Sequence, residues 1–537
     1  MAIFSPSESP AIVVKEVDLT GGVPNVQTTT GAFAGKFRWG PIEEAVLIDN
    51  EASLASKFGA PDDAHTVDFH TAGGFLKFSN GLQTVRVADT TALNAADSAG
   101  AATQIKNQAA FDVSTTLAGK STFYGKYAGA LGSSLQVVWS DATNWATWSA
   151  SYKAQFDATP SGNERHVLVL DEDGVITGTA GTVLERYPFV SNSSSATNTD
   201  GTSNYMKNVI NRQSEYIYAT THVDSTGSKS LLGGVDGSAA GTDDYLRGFN
   251  SFEDKDTIQL DFLIAPGKAS ASDQATVVND LVTTAGTTRK DAVVVTSPAS
   301  ASVVGNATPD AATVTDTGSY TYSDYLFVDN NWLKMYDKFN DKYINVPAAG
   351  QTAGIMAASD ANSAPWFSPA GSRRGQYLGV TSLAYTPTKA QRDTLYKAGV
   401  NPIANLPGQG ILLYGDKTHM NRPSAFDRIN VRRLFNVVER AIANAARNTL
   451  FELNDEFTRA EFVNIVEPFL REIKGRRGIT DFRVVCDETN NTTAVIDRNE
   501  FIANIFIKPS RSINYITLNF VAVRSGVDFE EVAGLSV

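Results

Sequence analysis

The chain has 537 residues, 42% of them apolar and 19% charged, which places it among globular proteins of roughly three to four domains and excludes a disordered or fibrous chain. A formal net charge of -13 argues against general nucleic-acid binding, where affinity rests on neutralising phosphates, and a single cysteine excludes an internal disulfide framework. The first residues lack a basic start followed by an apolar block, and no apolar run approaches about 18 residues, so neither a secretory signal nor membrane insertion is expected and the protein is expected to be made in the cytoplasm.

Residues 5–22 read as an extended arm. Pro6 and Pro10 oppose helix, Ile12, Val13, Val14 and Val17 favour strand, and Gly21-Gly22 releases the segment from the rest of the chain. Extended, it spans up to roughly 60 Å, enough to reach another copy. From Thr28 the pattern is α/β, with strands at 46–48 and 84–87 and helices at 51–58 and 68–78. Near Thr90 alanine and threonine take over, as at an insertion boundary, and residues 109–157 read as β-rich. Strands at 166–170 and 183–187 flank the turn Asp171-Glu172-Asp173-Gly174, and a helix is expected at 243–252. Apolar runs at 260–265 and 291–296 enclose a helix at 272–284, an order that implies parallel pairing. Residues 325–329, the pair Asn330-Asn331 and residues 332–336 read as a hairpin, and 390–398 as a helix ending at Gly399.

The C-terminal part combines helices with strands. Val431, Phe435, Val438, Ile442, Ala445 and Leu450 fall three to five apart over residues 428–451, close to one helical face. Arg433, Arg440 and Arg447, seven apart, line another side; the bland reading is a solvated face, the sharper one contact with an acidic partner surface. A second helix is predicted from Thr458, capped by Thr458 and Glu461, to 474–478. The period then falls to two: Phe482, Val484 and Cys486 on one side, then Ile496, Phe501, Ile505 and Ile507, then Ile516, Leu518 and Phe520. After Arg524-Ser525-Gly526 a last extended segment, 527–532, is placed to pair at a distance.

No constellation marks catalysis. Gly119-Lys120-Ser121 lacks the first glycine of a phosphate loop, whose place Ser114 takes, and Gly-X-Ser-X-Gly is absent. His65 and His70 stand five apart rather than the four of helical zinc pairs, so a surface loop and helix start are expected there and no metal site. Cys486 reads as a buried structural thiol.

The stretches Val485-Cys486-Asp487-Glu488-Thr489-Asn490-Asn491, Ile505-Phe506-Ile507-Lys508-Pro509 and residues 520–532 resemble the C-terminal core of contractile phage tail sheath proteins. Residues 9–18 resemble that family's N-terminal arm, and residues 346–357 with 364–371 its passage from the outer insertions back to the core. The resemblance implies an α+β multidomain fold: a C-terminal core of two helices and a small mixed sheet completed by strands from neighbouring subunits, carrying outer β-rich and α/β insertions. The expected division is an arm at 1–22, a core-proximal α/β domain from 23–89 and 346–420, a β-rich outer domain at 90–157, an α/β outer domain at 158–345, a tube-facing domain at 421–524 and an arm at 525–537.

The implied function is structural, without enzymatic activity or cofactor: stacked hexameric rings around a tail tube in the virion tail, contracting to drive the tube through a target cell envelope. The strand Ile12, Val13, Val14, Lys15, Glu16, Val17 and the strand Val527, Asp528, Phe529, Glu530, Glu531, Val532 would insert into neighbours, received beside Phe501, Ile505, Ile507, Ile516, Leu518 and Phe520. Arg433, Arg440 and Arg447 would face the tube. Implied partners are further copies of the chain, the tail tube protein, and baseplate and tail terminator proteins, without direct nucleic-acid contact. A non-contractile surface-layer or adhesin-like protein and a cytosolic hydrolase are the alternatives; the first leaves the C-terminal motifs unexplained and the second lacks a nucleophile.

Overall fold

A computed structural model describes residues 29–514. Both predicted arms, and Ile516, Leu518 and Phe520, lie outside the described residues.

The centre is a six-stranded sheet in the order Leu326–Val328, Val293–Thr296, Phe262–Ile264, Gly31–Lys36, Leu82–Val87 and Ala45–Ile48. All neighbours in it are parallel except the last pair. Alternation sorts side chains between two helical layers. Phe33, Ile264, Val295 and Phe327 pack with Phe69 and Phe75 of helix Thr66–Leu76 and with Ala353 and Met356 of helix Ala349–Asn362. Ala32, Ala34, Leu263 and Val294 pack with Tyr245 and Phe249 of helix Thr242–Asn250 and with Val278 and Leu281 of helix Ala271–Thr283. Two glycines set the layer spacing: a Cβ on Gly350 would sit 2.0 Å from the Thr71 carbonyl oxygen, and one on Gly248 2.7 Å from Val87 Cγ2.

The elements predicted at 46–58, 68–78, 84–87, 243–252, 260–265, 272–284 and 291–296 all form, with ends shifted by up to two residues, and the parallel pairing forms with them. The hairpin at 325–336 does not. Leu326–Val328 belongs to the central sheet, whereas Trp332–Asp337 pairs with Lys342–Pro347 and Ser382–Leu383 in a separate antiparallel sheet. Asn330 and Asn331 are buried crossover residues and not a surface turn: Asn330 Oδ1 accepts from the Ile403 amide at 2.8 Å, and the Asn331 side-chain amide donates to the Tyr385 carbonyl at 2.7 Å.

The predicted domain limits are corrected as well. Leu135–Ser140 sits between Glu164–Asp171 and Gly227–Ser230 in a four-stranded antiparallel sheet whose outer strand is Thr182–Ser191, so a boundary at 157 would cut this sheet apart. The inserted unit leaves the central sheet after Val87 and returns to it with helix Thr242–Asn250, with a core of Phe123, Val137, Val167, Val169, Ile210 and Ile217. Residues 262–328 belong to the central sheet and not to an outer domain.

Candidate functional site: the C-terminal domain and its open sheet

The first helix of this domain, Ile429–Ala446, is shorter than predicted and ends in a single 3-10 turn, Arg447–Thr449. The second, Glu456–Gly475, begins a turn earlier than predicted: Asp455 is its cap, its carboxylate accepting from the Thr458 amide at 2.8 Å, which displaces the expected Thr458 and Glu461 box. Between the helices, Leu434, Val438 and Ile442 meet Phe462, Val466 and Leu470. Leu450, assigned by spacing to the apolar face, is 62% exposed and forms a tip with Phe451, Leu453 and Phe457, exposed by 104%, 77% and 76%.

The arginine stripe is not a free face. Arg433 is 4% exposed and grips Asp360 with both terminal nitrogens, one of them at 2.6 Å, while also donating to the Met356 carbonyl. Arg440 donates to Asp261 at 2.8 Å and to the Asp291 carbonyl at 2.9 Å. Only Arg447 is open to solvent, at 63%, where it pairs with Asp256 at 3.0 Å. Arg433 and Arg440 are therefore spent inside the subunit, and the expectation that they face a tube is overturned. Two further arginines that sequence reasoning missed complete the clasp: Arg432 reaches Asp324 at 3.1 Å and stacks over Tyr325, and Arg428 reaches Asp416 at 2.9 Å. These carboxylates belong to the central domain, so charge-assisted bonds lock the first helix onto it. Burial pushes the Asp261 carboxyl up, against the pull of Arg440 and the Thr30 amide.

Beyond the helices, Ile479–Val485 pairs antiparallel with Asn504–Pro509. Phe482 opposite Ile507, and Val484 opposite Ile505, turn inward onto the helix core, whereas Arg483, Phe506 and Lys508 point outward and Phe506 is 59% exposed. Among the described residues each of these strands pairs only with the other, and no third strand lies along either outer edge. Two strands alone make a marginal sheet. Of the predicted receiving residues, Ile505 and Ile507 lie on the second strand; Phe501 precedes it, its ring packed edge-on against Phe462 at 5.4 Å. Cys486 is buried as expected, and burial pushes its thiol up.

His65 and His70 are buried rather than superficial, and each is engaged with its own carboxylate: His65 with Asp62 at 2.6 Å, His70 with Asp337 at 3.2 Å. Among the described residues no three or more His, Cys, Asp or Glu side chains gather into a metal-binding group, and no helix is long and apolar enough to cross a membrane. Ser121, of the Gly-Lys-Ser triplet, turns its hydroxyl to the Phe123 carbonyl and the Asp97 carboxylate.

Two family models match: the phage tail sheath protein central domain over residues 238–419 and the phage tail sheath C-terminal domain over residues 421–522. The tail sheath protein of Vibrio phage KVP40 is 31% identical, covering 98% of this chain and 99% of its own. That of Enterobacteria phage T4 is also 31% identical over 98% and 99%. In solved structures, the sheath tail protein Lin1278 from Listeria innocua superposes with a TM-score of 0.58 at 13% identity, covering 91% of this chain and 93% of that one. The contracted helical sheath of the anti-feeding prophage gives 0.55 at 12% identity, over 96% and 99%. The first matched domain opens just before helix Thr242–Asn250, where the chain re-enters the central sheet, and the second spans the helix pair and the open sheet. With full-length relatives at this identity, the chain belongs to the contractile phage tail sheath family and is a sheath subunit of the virion tail.

Proposed function

We propose that copies of the chain assemble as stacked hexameric rings around a tail tube, knitted by the strands 12–17 and 527–532, and contract to drive the tube through a cell envelope. The observation that supports this reading is a sheet of only two strands among the described residues. Ile479–Val485 and Asn504–Pro509 bury one face, and among the described residues no further strand lies along either edge, a geometry suited to strand addition from another chain. Each added main-chain hydrogen bond contributes about 0.5 to 1.5 kcal/mol net, so one arm is weak. Two arms per copy, repeated around a ring, make later contacts effectively intramolecular and the lattice cooperative.

Tail sheath relatives and contractile-system sheath folds favour this structural role over a surface-layer protein or a hydrolase. Further partners in this reading are the tail tube, baseplate and tail terminator proteins, with assembly in the host cytoplasm. With Arg433 and Arg440 buried, the tip bearing Leu450, Phe451, Leu453 and Phe457 takes the place of the arginine stripe as the tube contact of this domain. Removing residues 1–20 or 525–537 should abolish polymer in negative-stain images while leaving the monomer's circular dichroism unchanged. Normal tubes from both deletions would eliminate strand exchange.

A further inference from the structure

We infer that the inserted unit carries a binding site for an acidic saccharide, a sugar bearing a carboxylate or a phosphate group. The site is a cleft of about 610 Å³ between helix Met206–Gln213 on one wall and, on the other, helix Gln108–Val113 with the residues that follow it to Ala118. Small-molecule sites run to roughly 300–1,000 Å³, so the cleft is of the right size. It lies far in sequence from the C-terminal sheet and stands whether or not terminal strands exchange between copies.

Positive charge gathers on one wall. Lys207, Asn208 and Arg212 of helix Met206–Gln213 line the cleft, and neither cation pairs with a carboxylate or donates a hydrogen bond among the described residues. Asp200 attracts Arg212 without pairing with it. A third cation of the lining, Lys126, is half-buried, donates to the Ser214 carbonyl and already feels Glu185, Glu215 and Glu44. The charge left for a ligand therefore sits on Lys207 and Arg212.

Acceptor oxygens stand beside and opposite those cations. The Gln108 amide donates to Asp112 Oδ1 at 2.9 Å, which leaves the Gln108 side-chain oxygen and Asp112 Oδ2 to outside donors. Asn208 donates to the Ser203 hydroxyl at 3.0 Å and keeps its own oxygen. Sugar hydroxyls donate to such amide and carboxylate oxygens, while an anionic substituent takes charge-assisted bonds from Lys207 and Arg212. Two other ligand classes fit less well. Asp112 repels a bare inorganic anion. The one aromatic ring of the lining, Phe111, is 8% exposed and stacked on Tyr218 at 4.2 Å, so it offers no open face to a nucleobase.

The test is isothermal titration calorimetry of the full-length chain with glucuronate, glucose 6-phosphate, glucose and inorganic phosphate, each taken into the millimolar range. At least one acidic sugar should saturate: glucuronate alone assigns a carboxylate ligand, glucose 6-phosphate alone a phosphate ligand, and both together the shared chemistry. Lys207→Gln/Arg212→Gln, which breaks no bond within the subunit, should weaken that binding by about tenfold or more with the melting midpoint unchanged. Asn208→Ala, which keeps both charges, should weaken it by about threefold or more. Saturation by neither acidic sugar would overturn the site, as would wild-type affinity in either variant. Glucose binding as tightly as the acidic sugars, or inorganic phosphate as tightly as glucose 6-phosphate, would overturn it too.

Discussion

The buried pair between Arg433 and Asp360 gives the sharpest energetic expectation. Their side chains are 4% and 0% exposed, and the guanidinium spends both terminal nitrogens on the carboxylate, with the Met356 carbonyl and the face of the Phe262 ring as further partners. Asp360→Ala leaves a buried cation facing a carbonyl, and breaking such a pair from one side costs about 3–5 kcal/mol. A chain of several domains has no single unfolding free energy, so the loss is best read locally. Native-state hydrogen exchange over helix Ile429–Ala446 should accelerate by about 100- to 3,000-fold, at about 1.4 kcal/mol per decade. Replacing both partners, Arg433→Met with Asp360→Leu, removes the unpaired charge and should recover most of that loss. Exchange within about threefold of wild type in Asp360→Ala, or a double variant as unstable as the single one, would show that the clasp does not hold the helix down.

Asp329 lies wholly buried at the end of a central strand, accepting from the Thr352 hydroxyl at 2.9 Å, and burial pushes its carboxyl up to about 7. Its folded value exceeds the unfolded one, so the folded state holds the proton more tightly: the stabilisation is full below about pH 4 and is lost as pH rises toward 7. The span corresponds to about 4 kcal/mol, and Asp329→Asn should remove that downward slope from the pH profile of the thermal midpoint; an unchanged slope would count against it. Gly350→Ala should destabilise by about 1–3 kcal/mol, because its methyl would meet the Thr71 carbonyl between two packed helices. A melting midpoint equal to wild type would show that the layers can part without cost.

Much of the local structure was legible because it depends on short spans. Helix Glu51–Phe58 carries its own start and stop signals, Asn50 accepting from the Ser53 amide and Gly59 at φ 79. The parallel unit at 262–296 follows from order alone. The errors arise where a pattern has two physical solutions. Seven-residue spacing does place Arg433 and Arg440 on one side, yet periodicity cannot tell water from a carboxylate 73 or 179 residues away. Five arginines between 428 and 447 in a chain of net charge -13 were a usable signal for internal pairing. The pair Asn330-Asn331 has turn chemistry, but both side chains spend it holding buried backbone. The boundary at 157 failed because Leu135–Ser140 finds its partners at 164–171 and 227–230, pairings that no local composition shift records.

The most direct measurement is electron cryomicroscopy of the polymer at a resolution that traces main chain. Residues 527–532 of one copy, and 12–17 of another, should lie hydrogen-bonded along the open edges of the sheet formed by Ile479–Val485 and Asn504–Pro509. Density showing both segments returning to the body of their own chain, with those edges bare in every copy, would contradict assembly by exchanged strands.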